Sequence, residues 1–196
     1  MKETLVMRRG ERIEEPKFVR FLLNDPRSAV VWLVLRVWVG WQWITAAEHK
    51  LTDPDWMQTG VALQKFWERA VAIPAEGRPP VTFDWYRSFL QGLLDADAYT
   101  WFAPLVAYGE LLIGAALILG VLTGIAAFFG GLMNWNFMMA GTASSNPVLF
   151  VIAVGLILAW KVSGYIGLDY FVLPYLGTPW HGEKVQRPEA PVPIRA

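Results

Sequence analysis

The sequence contains no cysteine, which excludes disulfides, thiol chemistry and cysteine-ligated iron–sulfur clusters together. Histidine is almost absent as well, with only His49 and His181 in 196 residues. A pair of axial histidines inside a bundle is thereby excluded, and a haem would need methionine or a partner chain. A lone imidazole among carboxylates makes a poor metal site, so no haem, iron–sulfur cluster or metal is expected. Excess charge of either sign is missing too. Seventeen basic residues balance seventeen acidic ones, which offers nothing to draw a nucleic-acid partner.

Charge is scarcest in residues 99–168, where Glu110 and Lys161 are the only Asp, Glu, Lys or Arg side chains. An ionised group near the centre of a bilayer costs at least ~2.5 kcal/mol and marks a functional site that needs a partner. Arg36 is the expected partner of Glu110.

What the chain does have is long apolar runs. A helix rising ~1.5 Å per residue crosses ~30 Å of hydrocarbon in about 20 residues. Four stretches qualify: residues 29–49 with Arg36 inside, 101–122 with Glu110, 123–143 with Asn134 and Asn136, and 147–168 with Lys161 toward its end. Lys161 is near enough to one surface to snorkel out to it. The expected fold is all-α: one domain over residues 28–176, a four-helix transmembrane bundle with short amphipathic interfacial helices between its first and second spans. Residues 1–27 read as a mostly flexible leader, in which Phe18, Phe21, Leu22 and Leu23 make a short amphipathic patch. Residues 177–196 read as a flexible, proline-rich tail.

Basic residues crowd both ends of the chain, whereas the short turns at 120–124 and 142–146 hold none. The positive-inside rule then places both termini in the cytoplasm, in a multi-pass protein of the plasma membrane. The first span follows a long polar stretch and exceeds a signal-peptide core, so it is expected to be retained. In the outer connection, residues 55–73 set Trp56, Leu63, Trp67, Ala70 and Ile73 on one helical face, with Asp53 and Pro54 as the start. After a proline-rich break, residues 84–98 mix Trp85, Phe89, Leu93 and Leu94 with charges. Both segments read as surface helices, as anchors in preference to a substrate lid.

Counting inward from the ends of alternating helices puts Arg36, Glu110 and Asn134 near one midplane level, ~10–13 Å deep. Each lies on a helical stripe with small neighbours: Arg36, Gly40, Trp43, Ala47 and Lys50; Ala103, Ala107, Glu110 and Gly114; Ala127, Gly131, Asn134, Met138 and Gly141. Two readings fit. The three form a buried ion pair with an amide that only fixes packing, or they line a pocket that binds a polar headgroup or moves a proton. A second cluster, Glu48, His49, Lys50, Asp53 and Asp55 followed by Trp56, either relays protons and holds a small anion or is a solvated interfacial patch.

Residues 41–56, WQWITAAEHKLTDPDW, resemble the DoxX family of small four-helix membrane proteins. The likeness continues in YGELLIGAALILGVLTG (108–124), NWNFMMAGTASSNP (134–147) and the sequence ending GYIGLDYFVLP at Pro174, and covers nearly all of residues 31–174. Because the family includes the DoxD-type subunit of thiosulfate:quinone oxidoreductase, the resemblance implies a quinone-linked redox role with thiosulfate as the best-known donor. Arg36, Lys50, Gly109, Glu110 and Asn134 match recurrent family positions, and the resemblance implies a pocket role for them. An oxyanion donor favours a basic surface, yet residues 50–100 carry five basic residues against seven acidic ones.

The leading expectation is an integral membrane subunit of a quinone-linked oxidoreductase. Glu110 and Arg36 are the candidate catalytic pair. Asn134, Trp43, Lys50, His49 and Glu48 are the candidate quinone-binding residues, while Trp41 and Trp135 are further rings able to stack. Quinone is the expected cofactor, and the expected partners are the bilayer, a second oxidoreductase subunit and a second copy of the chain. A non-catalytic anchor or assembly scaffold for a soluble redox enzyme is the alternative. A small-solute permease, which would need a dimer to enclose a path, comes third.

Overall fold

The computed structural model describes residues 15–177, and every regular element among them is helical. In chain order the helices are α1 (Lys17–Asn24), α2 (Ala29–Leu51), α3 (Pro54–Met57), α4 (Val61–Val71), α5 (Asp84–Asp95), α6 (Tyr99–Leu119), α7 (Thr123–Met139), α8 (Asn146–Leu158), α9 (Trp160–Ser163) and α10 (Asp169–Tyr175). The expected flexibility of residues 1–14 and 178–196 concerns segments outside the described residues.

Helix α2 packs on α6, α6 on α7, and α7 on α8. The α2–α6 contact is close because both helices place glycine at the crossing. A Cβ on Gly40 would lie 2.9 Å from the Gly114 carbonyl oxygen, and one on Gly114 would lie 2.8 Å from that of Gly40. Small residues let backbones meet in this way. Most of the predicted stripes face inward, since Arg36, Gly40, Trp43, Ala47, Ala103, Ala107, Glu110, Gly114, Ala127, Gly131 and Asn134 are buried, whereas Lys50 and Met138 at the stripe ends are half-buried and Gly141 is exposed. Trp32, Val39, Trp43, Ile113, Leu117 and Leu156 form the core of the bundle.

With the turn included, residues Pro26–Leu51 and helix α6 are long and apolar enough to cross a membrane, whereas α7 has 17 residues and α8 has 13. The continuous helix expected over 147–168 is not there. Helix α8 stops at Leu158, α9 adds a single turn, and the chain then folds beneath the α6–α7 turn before α10 begins. Tertiary hydrogen bonds replace the helical ladder here: the Leu168 amide donates to the Leu119 carbonyl at 3.1 Å and the Asp169 amide to that of Gly120 at 2.6 Å. Gly167 is needed at the crossing, because a Cβ there would sit 3.0 Å from the Gly120 Cα.

The described part of the leader is a helix tied to the bundle rather than a flexible arm. Leu22 and Leu23 of α1 pack against the core, the Trp32 indole donates to the Leu22 carbonyl at 2.8 Å, and Lys161 donates to Asn24 at 3.3 Å. The connection over 52–98 also departs from the surface-anchor expectation. Its apolar faces close on each other and on α6, with Leu63, Trp67, Val81, Tyr86, Leu90 and Ala103 in a second core. Only Ile73 of the first predicted stripe escapes, at 71% exposure, and Trp85 and Phe89 remain outside. Asp53 does start a helix, accepting from the Asp55 amide at 2.9 Å. Gly60, at φ +72°, then separates α3 from α4 where the stripe predicts one helix.

Candidate functional site

Glu110 is 1% exposed on α6, and the cation that meets it is not Arg36. Lys50, near the end of α2, reaches back along the bundle so that its Nζ lies 2.7 Å from Glu110 Oε2 and 3.0 Å from Oε1. The Trp56 ring stands 5.1 Å from the same ammonium, in cation–π range. A long flexible stem and a compact charge suit this reach, which the sequence-based level count does not include.

Arg36 lies elsewhere because of helix register. With Gly40 against Gly114, Arg36 faces the last turn of α6, about two turns or ~12 Å from Glu110. Its Nη1 donates to the Leu117 carbonyl at 2.7 Å and to that of Ile118 at 3.3 Å, and its Nη2 to that of Ile166 at 2.7 Å. The guanidinium thus satisfies carbonyls that the helix end leaves unpaired, at the negative end of the α6 dipole. Gly120, at φ +68°, makes room, since a Cβ there would collide with the guanidinium.

Asp169 plays the opposite part. It is fully buried and accepts from the Leu122 amide at 2.5 Å and the Thr123 amide at 2.8 Å, capping the positive end of α7. Arg36 and Asp169 together brace the α6–α7 turn, and Arg36 and Glu110 do not form the expected pair. Asp169 went unmarked in the sequence because it follows a predicted span; the signal was a lone acid two residues after Gly167 at an apolar helix end.

Glu110 and Asn134 do share a cavity of about 660 Å³ between α2, α4, α6, α7 and the start of α8. Trp43, Lys50 and His49 line it too, so five of the seven candidate residues come together. Arg36 and Glu48 do not, and the Glu48 side chain is exposed. Residues that the sequence did not single out complete the rim, notably Lys65 and Arg69 on α4 and Ser145 at the start of α8. No sequence pattern links these segments.

The floor of the cavity is chemically unfinished. Asn134 is 0% exposed, yet neither its Nδ2 nor its Oδ1 has a hydrogen-bond partner, and the Trp43 indole Nε1 lacks one also. Buried polar atoms are paired in the great majority of cases, and each one left unmade costs about 1–3 kcal/mol. Two unpaired donors and one unpaired acceptor therefore belong to residues lining the same cavity as the Lys50–Glu110 ion pair. Among the described residues no group of three or more His, Cys, Asp or Glu could hold a metal ion. Comparison with protein-family models, with curated proteins and with solved structures gives no match to this chain.

Proposed function

We propose that this chain is a four-span integral membrane protein that binds the headgroup of a quinone in the Glu110–Asn134 cavity and serves as the membrane subunit of a quinone-linked oxidoreductase. Membrane residence is supported by the outside of the bundle. Val34, Leu112, Phe128 and Val151 are 64%, 68%, 52% and 68% exposed on four different helices, an apolar girdle that soluble monomers rarely carry. Lipid contact explains it. Helix α7 reaches ~26 Å by its length, and α8 with α9 makes the fourth crossing. The basic termini set the orientation, with both ends cytoplasmic in the plasma membrane.

The unpaired amide of Asn134 and the unpaired Trp43 indole, which line one cavity, carry the proposal. A quinone carbonyl accepts from Asn134 Nδ2 and Trp43 Nε1, and a quinol hydroxyl donates to Asn134 Oδ1. Glu110, held by Lys50, gives one proton and water entering the cavity gives the other, as two electrons convert quinone to quinol. The two electrons come from a partner subunit. The resemblance to the DoxX family implies the same role, with thiosulfate as the best-known donor in that family. Lys65 and Arg69 give the cavity rim local basic character within an acid-rich connection.

Quinone binding to the purified protein tests this reading. Wild type should bind a tail-less benzoquinone, and Asn134→Leu should lose that binding at unchanged fold. Lack of binding by wild type refutes it. Co-purification of a soluble oxidoreductase without quinone binding would establish the scaffold role, and solute uptake by quinone-free vesicles the permease.

A further inference from the structure

A second cavity, about 200 Å³, lies between α4, α5, α6 and α7, and its chemistry is the reverse of the first. The Tyr86 and Asn136 side chains in its lining are paired within the protein: the Tyr86 hydroxyl donates to Asn136 Oδ1 at 3.1 Å, and Asn136 Nδ2 donates to the Leu132 carbonyl at 2.8 Å. What remains is apolar and aromatic, including Leu93, Phe102 and Val106.

The two cavities share a wall. Phe66 and Phe137 line both, and their rings meet edge to face with centroids 6.3 Å apart. Neither ring is fully buried. At its far edge the apolar cavity reaches Phe89 and Leu132, which are 50% and 42% exposed. Trp85 and Trp135 stand on that same flank, stacked at 6.5 Å, and exposed tryptophans favour the level of the lipid headgroups.

We infer that the apolar cavity is the chain-binding half of one amphiphile site, holding the isoprenoid or alkyl tail of the molecule whose head occupies the Glu110–Asn134 cavity. This rests on the headgroup reading proposed above. The tail passes the Phe66–Phe137 wall and leaves between Phe89 and Leu132 toward the lipid. Apolar burial predicts a gain of about fourfold in affinity for each methylene taken in.

The test uses the full chain in lipid nanodiscs, with a tail-less benzoquinone, its decyl derivative, and a decyl derivative bearing a terminal diazirine. Two variants fill the apolar cavity: Leu132→Trp at its exposed rim and Leu93→Trp on α5. Both should bind the tail-less quinone as wild type does, which also shows that they fold, and should lose about tenfold or more of the affinity for the decyl compound. Photolysis of wild type should label residues 84–106, and excess unlabelled decyl quinone should compete the label away. Unchanged decyl affinity in both variants, or labelling confined to the lipid-facing Leu112 and Val151, overturns the tail site while leaving a head site that depends on Asn134 standing. Should wild type fail to bind the tail-less compound, or Asn134→Leu bind it equally well, the head site falls and the tail site with it.

Discussion

Replacing Lys50 by methionine keeps much of its apolar stem but leaves the Glu110 carboxylate, 1% exposed, without its cation. Removing one partner of a buried ion pair costs about 3–5 kcal/mol, because the other charge stays desolvated and uncompensated. Deleting both removes that penalty, so Lys50→Met/Glu110→Leu should be much more stable than the sum of its single variants predicts, with a coupling of about 2–3 kcal/mol. The corresponding cycle for Arg36→Met and Glu110→Leu should instead be additive to within about 0.5 kcal/mol, since the two sites share no partner and lie ~12 Å apart along the helices. Both cycles can be read from denaturant-induced unfolding in one detergent, followed by tryptophan fluorescence. Strong Arg36–Glu110 coupling with no Lys50–Glu110 coupling would refute the pairing described above.

Asn134→Leu removes two unpaired buried polar atoms, so it should leave stability unchanged or raise it by about 1 kcal/mol while abolishing quinone binding; thermal unfolding and ligand titration measure the two effects. Asp169→Ala deletes the α7 cap and should cost about 1–2 kcal/mol in the same unfolding assay, with quinone affinity held at the wild-type value. Burial pushes the Tyr86 phenol up to about 12 from its ordinary 10. The neutral phenol is kept by the folded state, whereas the unfolded chain ionises above pH 10, so stability is full below pH 10 and falls as the pH rises toward 12. The fall is roughly 2–3 kcal/mol at most, and Tyr86→Phe should remove that part of the slope in unfolding midpoints recorded from pH 9 to 12.

Which faces point inward could be read from the chain alone, because Arg36, Gly40, Trp43 and Ala47, or Ala103, Ala107 and Glu110, recur at helical spacing and small residues mark the close crossings. The sequence also determined that the elements are helices, that Glu110 needs a cation and that Asn134 belongs beside it. It could not determine which cation. Burial depends on periodicity along one helix, but pairing depends on the register between two, and the Gly40–Gly114 contact places Arg36 two turns from Glu110. Side-chain reach mattered equally, since Lys50 extends back to a carboxylate that an end-based count assigns to another level. The break after Leu158 had the same origin: residues 159–168 are apolar enough for helix, but the amides of Leu168 and Asp169 find carbonyls on α6. Only the tertiary structure decided that α4 and α5 cover the bundle, and so that Phe66 from one segment and Phe137 from another divide a polar cavity from an apolar one. A contact between segments so far apart in the chain has no period to announce it.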